Sequence, residues 1–166
     1  MQQPHRQHQQ QQEHNNHAGN IGRNINNFIK RCNNHSANCI RCICEAESGC
    51  KPPYPSCHEE YTYLPCGPLG ISYVQWEEAL ELNKTMFGKS FEECASKRKC
   101  SERIFQAYMT KHKPKKIRYS DGKGLCEYYS KVHKGGPEGP HLAPTKAFWD
   151  KVASCLDRLE LDHAEL

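Results

Sequence analysis

No stretch of this chain approaches the ~18 consecutive apolar residues that a membrane-spanning helix needs, which excludes an integral membrane protein. No glycine, heptad or longer period runs through it, which excludes collagen, coiled coils and helical repeat arrays. Apolar side chains are few, 36% of 166 residues with a mean hydropathy of −0.91, and they cluster after residue 36. The residues that follow Met1 (Gln2, Gln3, Pro4, His5 and Arg6) have no apolar run and do not read as a signal peptide. A chain of this length predicts one domain, or one domain plus a tail.

The tail is the segment 1–36, where 11 of the first 20 residues are Gln or His and Asn follows. Such a segment buries too little apolar area to offset the entropy of ordering it, so it is expected to be disordered. His5, His8, His14 and His17 belong to this low-complexity run and are read as solvated rather than as a metal site. The domain is expected to span residues 37–160.

Cysteine, by contrast, is abundant: 11 in all, ten of them from Cys39 to Cys155. Cysteine-dense small domains belong to oxidising compartments, where crosslinks reinforce a marginal core. The competing reading is a cytosolic zinc protein, since Cys39, Cys42, Cys44 and Cys50 are closely spaced. A zinc site favours two separated pairs. Here Cys57, Cys66, Cys94, Cys100, Cys126 and Cys155 are scattered singly, so disulfides are the preferred reading and no metal is expected. Cys32 leaves the count odd and is a free thiol or an intermolecular partner. Asn34-His35-Ser36 and Asn83-Lys84-Thr85 fit the glycosylation pattern.

Local patterns predict a mostly helical α+β domain. A short helix around 39–47 stops at Ser48-Gly49. The prolines of 52–55 force an extended or turned segment. Tyr61–Leu64 has strand propensity and ends at Pro65, giving a small sheet near 55–68. A weak helix covers Ile71–Leu82. Ser90 with Glu93 forms a capping box, and Phe91, Cys94, Ala95, Ile104, Phe105, Tyr108 and Met109 continue at helical spacing until Pro114. A turn is expected at Asp121–Gly124 and a helix over Leu125–His133, closed by Gly135-Gly136. Thr145 opens the last helix.

Charge is segregated. Residues 45–81 hold seven acids and one Lys, whereas 84–134 hold 14 Lys or Arg against five acids, a balance of +9. A cationic face beside an acidic patch suits work on an anionic polymer. No nucleic-acid motif accompanies the basic run, so nucleic acid is not the expected partner. A solvated helix face plus a basic loop explains the same charges. Two acids flanking a glycosidic bond are the minimum equipment of most glycosidases, and Glu47 and Glu60 form such a pair.

The order Cys39-Ile-Arg-Cys-Ile-Cys-Glu-Ala-Glu47-Ser-Gly-Cys50, Cys66-Gly67-Pro68, Ser90-Phe-Glu-Glu-Cys94, Tyr108-Met109, His133-Lys-Gly-Gly-Pro137, Phe148-Trp149 and Cys155 resembles the invertebrate-type lysozymes, the family that includes the leech destabilases. The likeness spans residues 37–156. It implies a secreted, extracellular, disulfide-rich lysozyme-like α+β domain that cleaves the β-1,4 bond between N-acetylmuramic acid and N-acetylglucosamine in bacterial peptidoglycan. It implies no cofactor, metal, nucleic acid or membrane, and the domain is read as a monomer.

Carried over by motif, the general-acid glutamate is Glu47, with a carboxyl expected to be raised in pKa by burial. The second carboxylate, an aspartate in the family, is Glu60, whose extra methylene adds about 1.5 Å of reach. The family's isopeptidase serine and lysine fall on Tyr63 and Ser72, so isopeptidase activity is not expected and these two are read as substrate-binding positions. His133 matches the histidine of the family's His-x-Gly-Gly-Pro turn and is the third such position; its alternative role is to complement the helix dipole. Leu69-Gly70 replaces an aromatic and an amide. Ala79, Ile104 and Pro140 stand where many members have cysteine, and the ten domain cysteines that remain suit five bridges of open connectivity. A non-catalytic protein that holds peptidoglycan or another anionic glycan is the alternative function.

Overall fold

The first helix is built on cysteine. The computed structural model describes residues 36–51, 57, 64–82, 90–115 and 122–164. Of the expected tail 1–36, only Ser36 is described, and it is already helical; the four histidines and Cys32 lie outside the described residues. Helix α1 covers residues 36–48 and buries Cys39, Ile40, Cys42, Ile43 and Cys44. Two of these cysteines crosslink it forward in sequence, Cys39 to Cys126 and Cys42 to Cys155. It stops at the expected Ser48-Gly49: Gly49 and Cys50 both take positive φ (66° and 57°), and Cys44 bonds to Cys50 across the turn. The Gly49 amide donates to the Glu45 carbonyl at 2.9 Å, so the helix end is closed.

After α1 comes a tight turn at residues 66–71. Cys66 and Ile71 exchange both backbone hydrogen bonds at 2.9 Å, and Cys57 pairs with Cys66 by bridge and by disulfide. These isolated bridges are the only extended pairing among the described residues, and no strand is present among them. Of the expected strand Tyr61–Leu64, only Leu64 is described. Gly67 has φ of 71°, and a Cβ on it would sit 1.8 Å from the Ala95 carbonyl oxygen. The turn therefore needs glycine for conformation and for close approach.

Helix α2 is Tyr73–Leu82, α3 Phe91–Ala95, α4 Arg98–Lys111, α5 Gly122–Gly135 and α6 Thr145–Ala164, with a 3-10 turn at Gly139–His141. The single helix expected from Ser90 onward is two. The Ser90 side chain accepts from the Glu93 amide as expected, but the chain breaks at Ser96-Lys97, where Lys97 takes extended dihedrals. The Cys94–Cys100 bridge spans the break. The turn expected at Asp121–Gly124 is also corrected, since α5 is already helical from Gly122. Its end is as expected: Gly136 follows with φ of 69°.

α2 packs against α4, and α5 against α6. The core between them contains Ile43, Leu69, Ile71, Ile104, Val132 and Val152, all fully buried. No described helix is long and apolar enough to cross a membrane.

Candidate active site

Glu47 lies in the last turn of α1, just before the crosslinked end of that helix. Its side chain is 11% exposed. Ser48 beside it donates to the Pro68 carbonyl at 2.7 Å, which ties the end of α1 to the 66–71 turn. That turn brings Gly70 against Glu47: a Cβ on Gly70 would be 3.0 Å from Glu47 Oε2. The replacement of an amide by glycine here thus places bare backbone beside the carboxyl.

Two groups from the last turn of α5 meet the carboxylate. His133 Nε2 is 3.4 Å from Oε1, and Lys134 Nζ is 3.3 Å from Oε2. Burial pushes the Glu47 carboxyl up, but hydrogen bonding and charge from His133 and Lys134 outweigh it and hold the carboxyl below its ordinary value. The sequence expectation of a carboxyl raised by burial is corrected on this point. The counter-effect comes from α5, which is 87 residues away in sequence from Glu47 at Lys134.

The His133 side chain is 1% exposed. Phe105 of α4 and Phe148 of α6 stand around the ring, with centroids 5.3 and 6.2 Å away. Lys134 Nζ lies 5.5 Å from the Phe148 ring centroid. His133 therefore touches Glu47 directly, which goes beyond a dipole-complementing role.

Ser72 does not reach the carboxylate in the described contacts. It precedes α2, where its Oγ accepts from the Gln75 amide at 3.3 Å and its own N–H donates to Gln75 Oε1 at 2.8 Å. This reciprocal pair is a capping box. Gln75, 4% exposed, continues inward, with Nε2 3.1 Å from His133 Nδ1 and 3.2 Å from the His133 carbonyl. Glu60 and Tyr63 lie outside the described residues.

Two participants escaped the sequence reading. Lys134 sits inside the His-Lys-Gly-Gly-Pro motif but carried no distinguishing signal there. Gln75 did have one: Ser72-x-x-Gln75 is a capping-box pattern, and it marks both the start of α2 and an unusually well-held amide.

All ten expected cysteines are found in five disulfides, which leaves none of them for zinc. The basic stretch is partly neutralised in space by acids from elsewhere. Lys111 pairs with Glu78 and Glu81 of α2, and Lys123 with Asp157 of α6. Within the stretch, Arg98 pairs with Glu102, and Lys131 with Glu127.

A crosslinked, mostly helical domain with a part-buried glutamate at a helix end defines a lysozyme-like class of protein. The family model named Destabilase matches residues 36–155. The chain is 36% identical over 124 residues to invertebrate-type lysozyme 2 of Caenorhabditis elegans, covering 72% of this chain and 86% of that one. It is 35% identical over 117 residues to a lysozyme of Magallana gigas, covering 70% and 77%. Among solved structures, the inhibitor-bound lysozyme of Meretrix lusoria superposes with a TM-score of 0.54 at 30% identity, covering 69% of this chain and 85% of that one. The lysozyme of Tapes japonica gives 0.53 at 31%, with the same coverage. The chain belongs to the destabilase family, that of the invertebrate-type lysozymes.

Proposed function

We propose that this chain is a secreted lysozyme-like glycoside hydrolase that cleaves the β-1,4 bond between N-acetylmuramic acid and N-acetylglucosamine in bacterial peptidoglycan. The observation that carries the reading is the setting of Glu47. It is the family's acid position, it sits on a helix end held by disulfides, and its carboxyl is part-buried among named partners. In this reading Glu47 protonates the leaving oxygen, and Glu60 acts as nucleophile or stabilises oxocarbenium charge. His133 lines the site through its contact with Glu47. Tyr63 and Ser72 are proposed to contact substrate, and isopeptidase activity is absent. The five disulfides support an extracellular location. Residues 1–35 act as a tail to the domain that begins with α1 and includes α6.

The direction of the Glu47 shift favours a second reading. A carboxylate held ionised by Lys134 and His133 is poorly prepared to donate a proton at neutral pH. A protein that only binds peptidoglycan, or another anionic glycan, shares that geometry.

Lysis of a peptidoglycan suspension by the oxidised full chain separates the two. Wild type is compared with Glu47→Gln and Glu60→Gln at low and moderate salt. Loss of lysis in both variants is expected, by at least about 10²-fold. Lysis retained by Glu47→Gln above a mock preparation overturns the assignment. Salt-sensitive binding without lysis by the wild type selects the binding protein.

A further inference from the structure

We infer that Gln75 is a positioning residue of this site: it holds the His133 ring in the tautomer that carries its proton on Nε2 and presents that proton to Glu47. The role rests on the hydrolase reading, whereas the tautomer does not.

The inference follows from which groups can donate. A glutamine amide has one accepting end and one donating end. Its orientation here is set at both ends. Oε1 is 2.8 Å from the Ser72 backbone N–H, which can only donate. Nε2 is 3.2 Å from the His133 carbonyl, which can only accept. Turning the amide over would break both bonds at once, and the His133 carbonyl is buried. The donating end therefore also faces His133 Nδ1, at 3.1 Å. That nitrogen has to accept, and a neutral imidazole with one accepting nitrogen carries its hydrogen on the other. The other is Nε2, 3.4 Å from Glu47 Oε1.

Burial makes the arrangement decisive. Gln75 is 4% exposed and the His133 side chain 1%. The groups facing the ring are Glu47 from α1, Gln75 from α2, Phe105 from α4 and Phe148 from α6. Gln75 is the one of these that faces Nδ1, while the Glu47 carboxyl faces Nε2. The neighbouring Lys134 engages the other carboxyl oxygen. The capping box that starts α2 thus doubles as the anchor of the histidine: hydrogen bonds run from Ser72 through Gln75 to His133, whose Nε2 lies 3.4 Å from the carboxyl.

The test is long-range 1H–15N NMR of the histidine rings in the oxidised full chain at neutral pH, with His133→Phe identifying the His133 signals by their loss. The wild type is expected to show a single tautomer protonated at Nε2. Gln75→Leu is expected to lose that single-tautomer signature. Gln75→Glu places an acceptor at Nδ1, so both nitrogens become protonated. A wild-type ring protonated at Nδ1, or a ring unchanged in both Gln75 variants, overturns the inference. Because the wild-type spectrum alone tests the tautomer, a variant that fails to fold does not shield it. Gln75-dependent Nε2 protonation in a protein without lytic activity retains the positioning geometry and removes the hydrolase reading.

Discussion

At the residue scale, Glu47 shows how neighbours outweigh burial. Removal from water alone would favour the neutral acid, yet hydrogen bonding and charge from His133 and Lys134 reverse the sign. For a group whose folded value is depressed, the ionised form predominates at neutral pH and the acid form grows as pH falls. Lysis that depends on protonated Glu47 is therefore expected to rise as pH is lowered toward the ordinary carboxylate range. Lys134→Met removes the ammonium 3.3 Å from Oε2, raises the Glu47 carboxyl and moves the basic limb of the pH–rate profile upward. A limb that stays in place in Lys134→Met argues that Glu47 is not the acid. Gly70 matters at the same scale, because any side chain there would press on the Glu47 carboxyl.

At the element scale, the contact of α2 with α4 joins an apolar seam to a charged end. Trp76 and Ala79 are buried on α2, and Ile104, Phe105 and Tyr108 on α4. At the end of α4, His112 Nε2 bonds Glu78 and Lys111 Nζ lies 3.3 Å from the same carboxyl oxygen. Partial burial pushes Glu78 up, but these two partners hold it below its ordinary value of 4.5. The sign follows: the stabilisation is present above the ordinary value and is lost as pH falls through the lower folded value. Glu78→Gln is expected to lower Tm at pH 7, and the gap from wild type should close as the pH falls below the ordinary carboxylate value. Thermal melts across that range check it, and a gap that persists in acid removes the ion pairs as its cause. The patterns for these elements were readable from spacing, with one lesson in α3 and α4. Apolar periodicity continues smoothly across Ser96-Lys97, so it conceals a break that the Cys94–Cys100 bridge accommodates.

At the scale of the whole molecule, disulfides join α1 to α5 and α6. Cys39–Cys126 and Cys42–Cys155 close separations of 87 and 113 residues, with Cα atoms 5.6 and 5.5 Å apart. Long loops restrict the unfolded chain most, and removal of such a bridge costs about 2–5 kcal/mol. Cys42→Ala with Cys155→Ala is expected to lose that much in urea unfolding, while the described Glu47–His133 contact relies on α1 staying seated on α5. Histidine-ring NMR on the same variant reports whether the contact survives. An unfolding midpoint equal to wild type would show that packing of Ile43 and Val152, both fully buried, suffices without the bridge.

The sequence by itself determined the family, most of the helix ends and the place of Glu47 at the end of α1. Those properties reside in local spacing: cysteines around Glu-Ser-Gly-Cys, a serine cap at residue 90, and glycines at the ends of α1 and α5. Only the tertiary structure decided what surrounds the carboxyl. The sign of the Glu47 shift, the tautomer of His133 and the partners of Lys111 all depend on side chains from separate helices meeting within about 3.5 Å. Electrostatic and hydrogen-bond effects act over those few ångströms in space, and sequence spacing carries no record of that distance until the disulfides and the core bring the helices together.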